Sequence, residues 1–567
     1  MTTRDSMYSR DIASDTRRAI SVLQEGVTKL PPELDEAGNV EYKTKLDNIS
    51  NTRATHLATQ LQWRLSEGDG HAVYVVGVSD NGEVVGISDE EMLHTVSTIK
   101  RMARQLDNAS IVSVEKRRLG PSGRLVAEVR LAQKTPLPQT ELRVAVLGDH
   151  GAGKSTVLGC LTYDEPDDGH GSARLSLMRH QHELESGRTS SITFSAIGFA
   201  ADAQVQNYAN NRSAEQIYQR SQHVVTFVDT CGHAKHLKTT ARAITGCSPH
   251  MFCVVVAADA GKVTAATCEY LQIATALDIP LLVVISKMDV AAKASFAALM
   301  RDLLDTLDTV LPARSKCIVN NIADYQSLAD DTMSRGVVPI FTTSAVRTIG
   351  FSELTRVLGR SRTKRSGSGT FTNEPFEFHV EHLYSIDSVG TVVTGWVNSG
   401  AVAAGHASGP PLMIGPDSSG GFVEADITSI HTLRTPTETA KAGLSAALAI
   451  QPRAAIRIQK GMVVLSADRL DTGSHRVSSE FSAVVTILSS GLAQMQAVVV
   501  HIRSTYHPAT VVDVDSCPKA QMRNGGAQVT VRLRLSGGAR EYVYPGMPIV
   551  VRDGCTLTFA GRVTVAM

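Results

Sequence analysis

An eight-residue stretch, GDHGAGKS at residues 148–155, fits the pattern G-x-x-x-x-G-K-[ST] of a phosphate-binding loop. The segment LRVAVLG before it is strand-like and the segment KSTVLGCLT after it is helix-like, which is the context that the motif needs. Glycines let backbone N–H groups face phosphate oxygens, and the helix N-terminus adds its positive end. Lys154 would neutralise the β- and γ-phosphates of a nucleotide, and Ser155 would ligate Mg²⁺. The predicted phosphate-contacting residues are Gly148, Asp149, His150, Gly151, Ala152, Gly153, Lys154, Ser155 and Thr156.

A second motif, DTCGH at residues 229–233, follows the strand-like run HVVTFVDT. An acidic residue at a strand end can hold Mg²⁺ through a water molecule, and this motif gives that role to Asp229. The backbone N–H of Gly232 can then bind the γ-phosphate. A D-x-x-G motif alone is a weak indicator, but this one comes one strand after the phosphate-binding loop. We therefore predict that both motifs serve the same site.

Two further motifs indicate which base the site selects. In SKMD, residues 286–289, the Asp289 carboxylate can accept hydrogen bonds from two N–H groups of guanine, and adenine offers no matching pair. If SKMD stood alone, an ordinary charge pair at a strand end would be the simpler interpretation. In TSA, residues 343–345, a backbone N–H can bind the guanine carbonyl. The predicted base-contacting residues are Ser286, Lys287, Asp289, Ser344 and Ala345. The order and spacing of the four motifs predict a GTPase-type domain that binds GTP or GDP with Mg²⁺.

The elements around these motifs predict a fold of the class multidomain α/β plus all-β. Strand-sized apolar runs alternate with helical segments around the four motifs, which favours a mostly parallel sheet with helices on both faces. A small α/β unit precedes this domain, and Ser88 with Glu91 predicts a helix capping box there. Short Val-rich strands follow and favour two small β-barrels. The predicted segments are a disordered N-terminal tail (1–40), an additional α/β domain (41–135), a P-loop GTPase domain (140–360), and β-barrel domains II (370–470) and III (475–567), with a linker at GRSRTKRSGSG (359–369).

Composition excludes some classes of protein and leaves others open. Lys plus Arg and Asp plus Glu both number 56 among 567 residues, so no global charge recruits a polyanion, although local basic faces can bind one. The polar start carries no apolar signal core, and no run approaches the ~20 apolar residues of a membrane helix. The eight cysteines form no CxxC pair. We therefore expect a cytoplasmic protein without membrane partners.

Several segments resemble known families. DTCGH resembles the D-x-P-G-H motif of the translational GTPases, the elongation factor Tu and elongation factor 1 alpha group, and IDSVGTVVTGWVNSGAVAAG is similar to the second-domain signature of these factors. ARLSLMRHQHELESGRTSSITF and DTCGHAKHLKTT, among others, resemble the GTP-binding protein 1 and 2 family, whose members carry an additional N-terminal domain. This similarity spans about residues 40–567.

The resemblance implies a monomeric GTPase that converts GTP to GDP and phosphate. It implies that His233 orients the attacking water, with Lys154 and Gly232 as the other catalytic residues. It also implies action on the ribosome with aminoacyl-tRNA, in elongation, stalled-ribosome rescue or mRNA surveillance. Two alternatives are an adaptor for the ribosome or the mRNA-decay machinery that does not deliver tRNA, and a nucleotide-gated binding module with weak or vestigial hydrolysis.

The segment ESGRTSS, residues 185–191, lies where the elongation factors carry R-G-I-T in their first switch segment. Aligned on Arg188, the motif puts Ser191 at the position of the Mg²⁺-binding threonine, with Thr189 as the alternative. A hydroxyl suffices chemically because it offers one oxygen to the metal. The metal ligands implied by the resemblance are Ser155, Ser191 and Asp229.

Four residues depart from the elongation-factor pattern. Ser286 replaces an asparagine that would tie its loop to the P-loop, and because serine reaches less far we expect weaker nucleotide affinity and faster exchange. His150 replaces an apolar gate residue and either crowds His233 or, as we favour, points to solvent. Gly151 replaces an aspartate, which puts a cation contact in doubt. Cys231 is either a redox-sensitive thiol or, as we favour, a small apolar residue.

Overall fold

The computed structural model describes residues 29–31, 38–47, 49–68, 70–106, 109–133, 140–178, 181, 183, 189–320, 322–363, 374–387, 389–405, 410–470, 476–488, 495–516, 528–554 and 556–566. Two units, Met1–Pro136 and Leu137–Met567, divide the chain. Within the described ranges, no helix is both long enough and apolar enough to cross a membrane.

The first unit packs two helices against a four-stranded sheet. Its strand order is β1-β2-β4-β3, in which the β1–β2 pair is parallel and the other pairs are antiparallel. Tyr74 and Val76 pack with helix residues such as Leu61, because side chains alternate between the two faces of a strand. The predicted capping box is confirmed, since Ser88 and Glu91 exchange backbone-to-side-chain hydrogen bonds. The elements are β1 (Val40–Lys43), α1 (Asn51–Glu67), β2 (His71–Val76), α2 (Asp89–Gln105), β3 (Ala109–Leu119) and β4 (Arg124–Gln133).

Part of the segment expected to be a disordered tail belongs to this unit. Leu30 is only 5% exposed and packs with Val73 and Val126 on the sheet face opposite the helices. Lys29 forms an antiparallel bridge to Glu83. The expectation of disorder is therefore wrong for residues 29–31, because an apolar side chain there covers a second apolar face. Residues 1–28 and 32–37 of the predicted tail lie outside the described residues.

The second unit begins with an α/β domain, here called the P-loop domain, that carries all four motifs. Its sheet order is β11-β12-β10-β9-β5-β8-β6-β7, and every pair is parallel except those that β6 forms. Its strands are β5 (Thr140–Gly148), β6 (Thr193–Phe199), β7 (Val205–Gln206), β8 (His223–Asp229), β9 (Met251–Ala257), β10 (Leu281–Ser286), β11 (Ser315–Ile318) and β12 (Val337–Thr342). Its helices are α3 (Lys154–Tyr163), α4 (Ala214–Gln219), α5 (Leu237–Gly246), α6 (Ala265–Ala276), α7 (Lys293–Val310), α8 (Tyr325–Met333) and α9 (Phe351–Arg360).

The continuous apolar runs of this domain are strands that are buried on both faces. In β5, Ala145 and Leu147 belong to one core cluster, whereas Val144 and Val146 belong to another on the opposite face. Strands β5, β8 and β10 are parallel to neighbours in the middle of the sheet, so their carboxyl ends reach the same edge. This arrangement brings the ends of these strands, and the motifs that follow them, to one side of the sheet.

Two closed six-stranded barrels complete the second unit, so the predicted fold class is confirmed. The first barrel runs in the order β16-β21-β13-β14-β20-β17 and closes by a β16–β17 pairing, and the second runs β23-β26-β25-β24-β28-β29. Residues 364–369 of the predicted linker lie outside the described residues. The first barrel domain comprises β13 (Glu377–Ile386), β14 (Gly390–Ser399), β15 (Ala401–Ala403), β16 (Leu412–Gly415), β17 (Val423–Thr432), β18 (Thr435–Thr437), β19 (Thr439–Lys441), β20 (Ser445–Pro452), β21 (Val463–Ser466) and α10 (Ala467–Leu470). The second comprises β22 (Arg476–Ser478), β23 (Glu480–Ile487), β24 (Ala497–Ile502), β25 (Thr505–Ser516), β26 (Gln528–Leu535), β27 (Glu541–Val543), β28 (Pro548–Asp553) and β29 (Thr556–Ala566).

A buried ionic cluster joins the P-loop domain to the first barrel. Arg143 in β5 donates to the Glu381 carboxylate in β13 at 2.5 Å and to the Ser445 hydroxyl in β20 at 2.9 Å. Glu141, also in β5, accepts a hydrogen bond from the Ser445 N–H at 2.8 Å. The Arg143 guanidinium lies 4.6 Å from the centre of the Trp396 ring. Because β5 leads directly into the P-loop, this cluster fixes the strand that carries the loop.

Candidate nucleotide-binding and hydrolysis site

The P-loop depends on glycines at its turns. Strand β5 ends at Gly148 and helix α3 begins at Lys154. Gly151 and Gly153 have φ angles of 74° and 86°, in the left-handed region that favours glycine. A Cβ atom on Gly148 would lie 2.3 Å from the Val255 carbonyl oxygen of the neighbouring strand. The sequence therefore forms this loop because three of its residues lack side chains.

The ammonium of Lys154 lies inside the loop. Its Nζ donates to the carbonyl oxygens of Gly148 and Asp149, each at 3.0 Å. Burial lowers the pKa of this lysine, and the nearby charge of Asp229 opposes the shift. The arrangement places one positive charge at the centre of a ring of backbone groups, which is what a bound polyphosphate needs.

Three oxygen-bearing side chains meet beside Lys154 and fit a magnesium ion. The Ser155 hydroxyl donates to Oδ2 of Asp229 at 2.7 Å and lies 3.0 Å from the Thr189 hydroxyl oxygen. Asp229 is 2% exposed, and its other oxygen, Oδ1, accepts no hydrogen bond within the described part of the chain. Burial raises the pKa of Asp229. A buried carboxylate oxygen without a donor, beside two hydroxyls, matches the hard oxygen ligands that Mg²⁺ prefers.

The structure favours Thr189 over Ser191 as the metal ligand. The Ser191 hydroxyl donates to Oε1 of Glu183 at 3.2 Å, and the hydroxyl beside Ser155 is that of Thr189, the predicted alternative. Arg188, on which the R-G-I-T motif was aligned, lies outside the described residues. Aligning the motif on its glycine, Gly187, instead of its arginine would have placed Thr189 at the ligand position.

Gly232 brings the DTCGH segment against the P-loop. A Cβ atom at Gly232 would lie 2.3 Å from Lys154 Nζ and 2.7 Å from the Asp149 carbonyl oxygen. Only a residue without a side chain can therefore occupy this position without displacing the loop. The close approach leaves the Gly232 backbone within reach of the same phosphate position as Lys154.

The ring of His233 lies at the open side of this arrangement. Its Nδ1 accepts a hydrogen bond from the Lys235 N–H at 3.1 Å, so the neutral ring carries its hydrogen on Nε2. The His150 ring lies edge-on to it, with 5.6 Å between ring centres, and the His236 ring lies 6.3 Å away on another side. His150 is exposed, which agrees with the favoured prediction that it points to solvent. Its ring also contacts the His233 ring, as the alternative prediction requires.

Ser286 does tie its loop to the P-loop, which corrects the premise that serine is too short. Its buried hydroxyl donates to the Ala152 carbonyl oxygen at 2.6 Å. The reach suffices because strand β10 ends close to the loop: a Cβ atom on Gly153 would lie only 3.4 Å from Ser286 Oγ. The expected weakening of nucleotide affinity loses its structural reason.

The remaining base-reading residues gather at the ends of β10 and β12. Oδ1 of Asp289 accepts a hydrogen bond from the Ser344 hydroxyl at 2.7 Å, which orients the carboxylate. Lys287 has a φ of 58° and pairs with Asp259 at 3.4 Å. Ala345 follows Ser344 and is half-buried. The structure thus brings the SKMD and TSA motifs together, as a guanine pocket requires.

Cys231 has the properties of a packed residue. It is 1% exposed, and burial raises the pKa of its thiol to about 12. A reactive thiol needs a low pKa and access to solvent, and this residue has neither. The favoured interpretation as a small apolar residue agrees with this geometry.

Comparison with known proteins identifies the family. Residues 139–362 match the family model described as the elongation factor Tu GTP binding domain. The chain is 36% identical over 537 residues to GTP-binding protein 2 of Mus musculus and of Homo sapiens, which covers 93% of this chain and 86% of each relative. The chain belongs to the GTP-binding protein 1 and 2 family. GTP-binding protein 1 of Xenopus laevis is 32% identical over 528 residues, covering 91% of this chain and 77% of that protein. The predicted resemblance is therefore confirmed.

Solved structures show the same fold at lower identity. The Ski7 GTPase-like domain of S. cerevisiae, bound to GTP, superposes with a TM-score of 0.55 at 14% identity, covering 75% of this chain and 97% of that one. Translation elongation factor SelB of Methanococcus maripaludis, in complex with the GTP analogue GppNHp, superposes with a TM-score of 0.50 at 19% identity, covering 76% and 80%. This member of the GTP-binding protein 1 and 2 family thus has an elongation-factor-like fold.

One residue of the site was missed by the sequence analysis. Glu183 is 1% exposed and accepts hydrogen bonds from Ser190 and Ser191. These are the two residues that follow Thr189, whose hydroxyl lies at the metal position. It belongs to HELESGRTSS, which is part of a segment that resembles the GTP-binding protein 1 and 2 family. No sequence motif assigns a role to a glutamate at this position. The signal for it was only the family-specific segment itself.

Proposed function

We propose that this family member binds GTP with Mg²⁺ and hydrolyses it on the ribosome, acting with aminoacyl-tRNA in elongation, stalled-ribosome rescue or mRNA surveillance. The observation that carries the proposal is the convergence of the two phosphate motifs. The Lys154 ammonium donates to the backbone of the P-loop, and the Ser155 hydroxyl donates to Asp229. Gly232 lies directly against Lys154 Nζ. SelB of Methanococcus maripaludis, which shares this fold, is a translation elongation factor, and this supports the proposed translational role.

Each residue of the site has a role that its surroundings permit. The Lys154 ammonium exchanges its two carbonyl partners for phosphate oxygens, and the Gly232 N–H stabilises the γ-phosphate. A magnesium ion, held by Ser155 and Thr189 with Asp229 nearby, would neutralise phosphate charge when it is bound. Asp289, oriented by Ser344, selects guanine.

His233 orients the attacking water in this proposal. With Nδ1 occupied by the Lys235 N–H, the neutral ring presents an Nε2–H, which donates to a water oxygen and holds it in position. Phosphoryl transfer needs mainly positioning and charge stabilisation, so a donor that fixes the water suffices. The isolated protein should therefore hydrolyse GTP slowly until the ribosome fixes the ring.

The test is multiple-turnover GTP hydrolysis with and without purified ribosomes. We expect ribosomes to stimulate the wild-type protein, and we expect His233→Ala to lose about 10²- to 10⁴-fold of that rate while keeping GDP affinity. His236→Ala is the matched control, since that ring lies nearby without the predicted role. Tight GTP binding without any stimulation would refute the translational role.

A second candidate is a nucleotide-gated adaptor for the ribosome or the mRNA-decay machinery with weak hydrolysis. The contact between the His150 and His233 rings favours it, because an imidazole in place of an apolar gate residue can hold His233 away from the water. His150→Val separates the two proposals. A rate of GTP hydrolysis with ribosomes that rises in this variant supports the adaptor. An unchanged or lower rate of hydrolysis supports the hydrolase.

A further inference from the structure

Glu183 is a buried carboxylate that accepts hydrogen bonds from two consecutive residues, Ser190 and Ser191. Its Oε1 accepts from the N–H and the hydroxyl of Ser190, both at 2.7 Å, and from the N–H and the hydroxyl of Ser191, both at 3.2 Å. A charge that is removed from water needs such partners, since burial is strongly unfavourable without them. The contacts join residue 183 to residues 190–191.

The residue next to this contact carries the hydroxyl that faces the metal position. Thr189 directly precedes Ser190, and its Oγ1 lies 3.0 Å from the Ser155 hydroxyl. Two backbone N–H groups held by one carboxylate oxygen fix the peptide units of Ser190 and Ser191. This restraint limits where the Thr189 hydroxyl can lie, because Thr189 directly adjoins the fixed segment.

We propose that Glu183 is a positioning residue that gives the site its preference for GTP over GDP, an inference that rests on the proposed function of the same site. Its carboxylate accepts hydrogen bonds from Ser190 and Ser191, a contact here called the clasp, and thereby holds the Thr189 hydroxyl at the metal beside Ser155. Ser155 and Asp229 serve a diphosphate and a triphosphate complex alike. A switch segment adds its ligand only when the γ-phosphate is present, so the clasp stabilises the triphosphate complex selectively.

The experiment measures binding by the full-length protein of a fluorescent non-hydrolysable GTP analogue and of fluorescent GDP, at several Mg²⁺ concentrations. Loss of a group that orients a metal ligand typically weakens metal binding about 10- to 100-fold. We expect Glu183→Ala to weaken binding of the GTP analogue by this factor and to leave the affinity for GDP within about twofold of the wild-type value. Glu183→Gln keeps one acceptor oxygen, so its affinity for the analogue should lie between those of the wild type and of Glu183→Ala. Glu165→Ala, at an exposed glutamate, is the matched control.

Thr189→Ala should reproduce the loss, and combining it with Glu183→Ala should add nothing, because both act on one ligand. Equal weakening of GDP and the analogue, no weakening, or additive losses would each overturn the clasp. If Glu183→Ala fails to fold, as thermal melting will show, Ser190→Ala combined with Ser191→Ala removes the two hydroxyl donors and gives the same comparison. A wild-type protein that does not bind the analogue would refute the proposed function itself. A wild type that binds the analogue more tightly than GDP and a Thr189→Ala variant that loses this preference, with Glu183→Ala unaffected, would refute the clasp alone.

Discussion

Removing the Ser286 hydroxyl should speed the release of guanine nucleotides. This hydroxyl is buried and donates to the Ala152 carbonyl oxygen of the P-loop at 2.6 Å. A buried acceptor left without its donor costs about 1–3 kcal/mol. Since ~1.4 kcal/mol corresponds to a factor of ten, Ser286→Ala should weaken binding between about 5-fold and 150-fold. GTP and GDP should be affected alike, because the tie lies outside the part of the site that the γ-phosphate occupies.

Stopped-flow release of fluorescent GDP and of a fluorescent non-hydrolysable GTP analogue measures this effect. Ser352→Ala is the matched control, because that serine is exposed on helix α9. Thermal melting of each variant shows whether the fold is retained. Release rates for Ser286→Ala within about twofold of the wild type would refute the reasoning, since they would show that the hydrogen bond does not hold the loop.

The reverse substitution tests the same geometry from the other side. Asparagine at position 286 would restore the residue of the elongation factors, but the P-loop lies close: a Cβ atom on Gly153 would already be 3.4 Å from Ser286 Oγ. The larger side chain must therefore displace the loop or the strand end. We expect Ser286→Asn to bind GDP no more tightly than the wild type, and tighter binding would show that the site has room for the amide.

Three further perturbations follow from the structure. Gly232→Ala should lower single-turnover GTP hydrolysis about 10²- to 10³-fold and should also weaken GDP in titration, because its methyl group would displace both a γ-phosphate donor and the P-loop. Arg143→Ala leaves the carboxylates of Glu141 and Glu381 buried without their cation, so chemical denaturation should show a loss of about 3–5 kcal/mol. Burial raises the pKa of Cys231 to about 12, so its thiol stays protonated at pH 7–8, and mass spectrometry should find no alkylation by iodoacetamide until denaturant is added.

The motifs could be predicted from sequence because each depends on local geometry. Glycine spacing fixes a P-loop, and apolar runs that end in Asp229 or Ser286 identify buried parallel strands whose carboxyl ends share an edge. The capping box of Ser88 and Glu91 is equally local. The domain bounds and the roles of the site residues stay predictions, and they rest on the same local patterns.

The failures involve distances between segments. Whether serine reaches the P-loop depends on how closely β10 ends beside Gly153, and no residue type records that distance. Alignment on Arg188 favours Ser191 over Thr189, and no sequence pattern marks the contact of Ser191 with Glu183. Leu30 stands among polar residues, so only the tertiary structure shows that it covers a sheet face.

The first barrel's interface with the P-loop domain contains a buried ionic cluster beside an apolar patch, whereas the second barrel extends an apolar core cluster of that domain. This difference indicates which contact should open first. The first barrel meets β5 through ionic groups, Arg143 with Glu381 above all, and meets β6 and β8 through Leu433 and Leu444. The second barrel places Val550, Leu557 and Ala560 within one apolar core cluster of the P-loop domain.

Separating charged groups returns them to water, which offsets the loss of their pairing, whereas separating apolar surfaces costs about 25 cal/mol per Å² exposed. A nucleotide-driven rearrangement should therefore loosen the first-barrel contact before the second. Hydrogen exchange in the GDP complex and in the complex with the GTP analogue tests this expectation. Backbone amides of β13 around Glu381 should exchange faster with GDP, while those of β28 around Val550 should change little. Faster exchange at β28 alone would show that apolar burial does not decide which interface opens.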